Sequence, residues 1–117
     1  MKQSMHHIQS RALGIAALSV CVSGCATTID LAPLVDERAI ETANAMGFSP
    51  ESIEQGRLLY ITSCAKCHSP EPVTRYSLER WGGILPRMAE QADLDNEAEQ
   101  AVSAYIKVIL GVQGTPG

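Results

Sequence analysis

Apolar residues recur along this chain at three- and four-residue intervals, the period of a helix lying on a core. Four such stretches carry their own start signals. Asp36–Met46 places Val35, Ala39, Ala43 and Met46 on one stripe after the breaker Pro33, and Gly47 supplies a stop. Ser49 is a capping residue, Pro50 suits a first helical position, and Glu51 complements the helix dipole. Ile53, Gly56 and Tyr60 then share one face. Ser77 predicts a third helix, bending or restarting at Pro86. Asp95, with Glu97 and Glu99 behind it, starts a fourth, in which Ala98, Ala101, Val102, Tyr105, Ile106 and Ile109 keep helical spacing up to a stop at Gly111. Nothing ahead of residue 64 alternates as a strand does, and no repeat is present. The expected class is all-α.

The first apolar run is of another kind. Met1–Arg11 carries Lys2 and Arg11 without an acid, and the eleven residues Ala12–Val22 that follow are small and apolar. These are the charged and hydrophobic regions of a secretory signal, and the run is too short to span a bilayer. Its end, Val22-Ser23-Gly24-Cys25, resembles the lipobox of bacterial lipoproteins. That resemblance implies cleavage before Cys25 and lipid on its thiol. Cys21 fits less well, with Val20 ahead of it where a small residue is expected. An ordinary cleaved signal with an incidental cysteine is the alternative. Ala26 rather than aspartate after the cysteine implies, within that family, the outer membrane rather than the inner one.

Cleavage there leaves 93 residues, enough for one small domain. Losing Lys2 and Arg11 moves the formal charge from −4 to −6. An acidic chain of this kind is poorly suited to nucleic acid or to anionic lipid, and it favours a partner with a positive docking face. Three segments are expected: a signal over 1–24, a lipidated tether over 25–48 that either packs on the domain or holds it off the membrane, and the domain itself over 49–117.

The chemistry lies in Cys64-Ala65-Lys66-Cys67-His68. Two thiols about one helical turn apart can each add to a porphyrin vinyl group, and a histidine directly after the second can bind the iron as proximal ligand. This is the attachment signature of haem c. A thioredoxin-like site uses the same cysteine spacing but follows a strand, and structural zinc needs four ligands where only Cys64, Cys67 and His68 are at hand. The cysteines are then all assigned: Cys21 removed, Cys25 to lipid, Cys64 and Cys67 to haem. Export and covalent haem attachment belong to the same side of a bacterial membrane, so the two readings support each other.

With this motif between the helix bearing Gly56 and Tyr60 and the helix bearing Tyr105, residues 49 to about 110 resemble the small class I cytochromes c. The resemblance implies N- and C-terminal helices crossing around a covalently attached haem, with glycine allowing the close approach. It also implies a distal ligand. His68 is the only histidine left after cleavage, so the thioethers of Met46 and Met88 are the main candidates, ahead of the amines Lys66 and Lys107. Family members place the distal methionine between the two helices. Trp81–Met88 is similar to a tryptophan-to-methionine segment of some monohaem domains, which favours Met88. Only twenty residues separate His68 from Met88, fewer than in many members.

Trp81 is expected either to point its indole N–H at a propionate or to serve as core. Arg75, Arg80 and Arg87 are candidates to neutralise propionates, and a carbonyl near Pro70 or Pro72 to accept the second imidazole N–H of His68. The function implied is one-electron transfer between redox partner proteins at a membrane, with no substrate bond broken. Two alternatives stand beside it: the haem subunit of a larger dehydrogenase, or a sensor or peroxidase with an open iron position.

Overall fold

The computed structural model describes residues 27–114; the signal region and Cys25 lie outside the described residues. The described residues carry α1 (Thr28–Leu31), α2 (Glu37–Met46), α3 (Pro50–Thr62), α4 (Leu78–Gln91) and α5 (Asn96–Gly114), with single 3-10 turns at Cys64–Lys66 and Val73–Arg75. No strand occurs among them. The all-α expectation holds.

Helix boundaries follow the capping chemistry. Asp36 accepts the Ala39 N–H at 3.0 Å, Ser49 the Ser52 N–H at 3.2 Å, Ser77 the Arg80 N–H at 3.2 Å, and Asp95 the Ala98 N–H at 2.8 Å. Gly47 closes α2 with φ +81°, while Phe48 N–H reaches back to the Ala43 carbonyl at 2.9 Å. Asp93 plays the same part after α4, with φ 55° and Leu94 N–H on the Ala89 carbonyl at 2.9 Å. The four-residue α1, opened by a capping box between Thr27 and Asp30, has no counterpart in the apolar pattern.

α5 is the centre of the fold. It is buried on more than one face, through Ala101, Val102, Ala104, Tyr105, Ile106, Val108 and Ile109, and α2, α3, α4 and the Val73–Arg75 turn all pack on it. Its main partner is α3. A Cβ on Gly56 would lie 2.1 Å from the Ala101 carbonyl oxygen and 2.8 Å from Tyr105 Cβ, so the two backbones meet where the side chain is missing. The expected stop at Gly111 is not observed, and α5 runs on to Gly114. Gly111 lies instead beneath α2, where a Cβ would meet Met46 Cε at 2.8 Å and Thr42 Cγ2 at 3.3 Å. Packing overrides the roughly 1 kcal/mol that glycine costs inside a helix.

A domain edge at Ser49 does not show in the packing. Ala32, Ala39 and Ala43 are buried in the same core as Ile53, Tyr60, Val102 and Tyr105. Of the two roles expected for the 25–48 segment, its described part takes the first and packs on the domain. α4 passes through Pro86 as one helix rather than restarting.

Candidate cofactor site

α3 ends at Thr62, and the chain turns through the 3-10 segment Cys64–Lys66 into an irregular stretch before α4. Cys64 is half-buried, Cys67 and His68 are exposed, and both thiols are free. Burial pushes the Cys64 thiol above its ordinary value.

All three line one cavity, and Met88 of α4 lines it with them. The cavity encloses about 890 Å³ of empty space, its open mouth included. The rest of its wall is mainly apolar: Tyr60, Tyr76 and Trp81, then Ile84 and Leu85 from α4. Trp81 stands at the middle of the aromatic wall, edge-on to Tyr60 (ring centroids 6.0 Å apart) and to Tyr76 (5.4 Å).

Hydrogen bonds hold the loop around this cavity. The Tyr60 hydroxyl donates to the Glu71 carbonyl, and the Trp81 indole N–H donates to the buried Val73 carbonyl at 2.8 Å. Of the two roles expected for Trp81, this second bond matches the core role, with the indole donor engaged by backbone. Burial, with a smaller contribution from Cys64, holds the Tyr60 hydroxyl protonated far above the ordinary phenol range. His68 Nδ1 lies 2.9 Å from the Ser69 carbonyl. A carbonyl only accepts, so Nδ1 is the donor, which in the neutral ring leaves the lone pair on Nε2, the atom that can bind a metal. The carbonyl is that of Ser69, next to Pro70, rather than one farther along.

Met46 lies elsewhere. It is 46 % exposed on α2, with its Cε against Gly111, and has no part in the cavity wall. Of the three arginines, none lines the cavity; Arg80 and Arg87 line a separate polar hollow with Ser77, Glu79, Gly83 and Ile84. The α4 wall had a legible signal beyond Met88: Trp81, Ile84, Leu85, Met88 and Ala92 recur at helical spacing. The hold of Tyr60 on Glu71 had none, because it joins a helix to a loop.

The donor set suits haem c. It offers two thiols at the attachment spacing, an imidazole with a free Nε2, a thioether from a different element, and an apolar wall for a planar ring. Among the described residues no three His, Cys, Asp or Glu side chains form a metal-binding group. Haem iron held by one imidazole and one thioether would not require such a cluster. No helix among the described residues is long and apolar enough to cross a membrane. Compared with models of known families, with curated proteins and with solved structures, the chain matches none.

Proposed function

We propose that this protein is a monohaem c-type cytochrome, lipid-anchored through Cys25 on the periplasmic face of a bacterial membrane, the outer membrane favoured, that carries single electrons between redox partner proteins. The observation that carries this is the convergence of Met88 on the cavity of Cys64, Cys67 and His68. Met88 comes from a helix that begins ten residues after His68, and helical spacing brings it to the same wall as Trp81, Ile84 and Leu85.

In this reading Cys64 and Cys67 hold the group covalently, while His68 Nε2 and the Met88 sulfur bind its iron. When bound, haem supplies a one-electron ferrous–ferric couple whose potential a thioether ligand raises. The chain supplies the surroundings. The Ser69 carbonyl orients the His68 ring and strengthens its basicity. Tyr60, Tyr76 and Trp81 would give the ring an aromatic wall on one side. The acidic mature chain favours a positively charged docking face on a redox partner.

The test is covalent haem. Produced with a haem-attachment system in an exporting host, the protein should retain peroxidase-active haem after denaturing electrophoresis. Cys64→Ala combined with Cys67→Ala should lose it. Wild-type protein that emerges without covalent haem would overturn the reading.

A further inference from the structure

A buried cation fixes the N-terminal strap of this fold. Arg57 on α3 is only 8 % exposed, and its Nε donates to the carbonyls of Ala32 and Pro33, each at 3.1 Å. The Tyr105 hydroxyl donates to the same Pro33 carbonyl at 2.8 Å, across 72 residues of sequence. Ala32 itself is fully buried. Charge-assisted bonds to backbone are among the stronger single contacts, and breaking one would leave a buried cation short of partners. The chain is therefore pinned to the domain at residues 32–33, not at residue 49.

This shortens any tether that starts at Cys25. A free segment over 25–48 could extend about 80 Å. With the chain pinned at Ala32, seven residues separate Cys25 from that point and four separate it from Ile29, a covalent reach of at most about 25 Å and about 14 Å. Ile29 is 55 % exposed and Leu34 52 % exposed, the two most exposed large apolar residues described, and they flank the pinned point.

We infer that the lipid surface holding Cys25 covers Ile29 and Leu34, so that the domain rides on the membrane in one orientation instead of swinging on a long leash. This rests on the lipidation of Cys25 proposed above. The occupant is a neutral lipid surface, because Asp30, Asp36 and Glu37 neighbour the two apolar residues along the chain, Arg38 is the only cation within residues 27–40, and Arg57 is buried against the backbone. Apolar side chains seated at the headgroup–acyl boundary would add to the hold of the acyl chains.

The test uses the full, processed protein in zwitterionic phosphatidylcholine vesicles. A genetically encoded fluorescent residue replaces Ile29, Leu34, Met46 or Leu78, one at a time; the last two are controls that are also about half exposed. Quenching by a nitroxide-bearing lipid should be at least about twofold stronger at 29 and 34 than at 46 and 78. Equal quenching at all four positions, in protein that floats with the vesicles, would overturn the inference while leaving the anchor intact. Protein that does not float and carries no acyl chain would overturn the anchor, and the orientation with it, while the haem reading keeps its own test.

Discussion

Gly56 and Ala101 are in backbone contact: a Cβ on Gly56 would lie 2.1 Å from the Ala101 carbonyl oxygen. A flexible side chain could move aside, but a helix backbone cannot. Gly56→Ala should therefore force α3 and α5 apart, at about 3 kcal/mol for an overpacked core. Better helix propensity returns about 1 kcal/mol, leaving a net loss of about 2 kcal/mol. Gly82 and Gly83 on α4 have nothing within 4 Å of a built Cβ, so alanine there should stabilise by about 0.5–1 kcal/mol. Denaturant midpoints of the three variants check the contrast. Similar effects at all three sites would show that the close approach is not what Gly56 provides.

Met88 lines the cavity and Met46 does not. In the haem-loaded protein, Met88→Ala should remove the weak long-wavelength ferric band of iron–sulfur bonding, lower the reduction potential and open the ferrous form to carbon monoxide. Met46→Ala should leave all three unchanged and cost under about 1 kcal/mol, as expected for a half-exposed side chain. Spectral loss from Met46→Ala would place the distal ligand on α2. Rapid carbon monoxide binding by the wild type would favour the sensor or peroxidase alternative.

The two thiols differ in surroundings. Cys67 is exposed, whereas Cys64 is half-buried with its thiol pushed up by burial. Thiolate is the reactive form, so in haem-free protein near neutral pH Cys67 should be alkylated well before Cys64. Mass spectrometry of a timed iodoacetamide reaction reads the order. Equal rates, matching those in denaturant, would show that the haem-free chain does not hold this loop.

Tyr60 and Tyr105 both have hydroxyls pushed above the ordinary phenol value by burial, at Tyr105 against the opposing pull of Arg57. Each stays protonated in the folded protein at a pH where the unfolded chain has already lost the proton. Over that window the unfolded state binds fewer protons, so stability falls as pH rises. The two phenols should leave stability unaffected through neutral pH and lower it above about pH 10. Thermal melts from pH 7 to 11 on wild type and Tyr60→Phe test this, and the variant should show the shallower alkaline decline.

Local signals carried the helices. Asp36, Ser49, Ser77 and Asp95 each marked a start because capping is decided by a residue and the backbone N–H groups two or three positions on. The Cys64–His68 pattern, on which the haem proposal rests, is visible for the same reason, since it is spaced along five consecutive residues. The close approach at Gly56, implied by the resemblance to class I cytochromes c, is met by the Ala101 backbone. Gly111, also a glycine on a helix, was misread as a stop. What distinguishes them is the packing of α2 on Gly111, and spacing along one helix holds no record of it.

The sequence by itself determined the fold class and the capped helix starts, because each depends on neighbours within about one or two turns. Only the tertiary structure decided which methionine shares the cavity, where the Trp81 indole N–H goes, and that residues 32–33 are pinned by Arg57 and Tyr105. Those outcomes depend on which faces of five helices meet. A buried donor takes whatever carbonyl the packing brings to it, and the carbonyl on Pro33 is 72 residues from the hydroxyl that binds it.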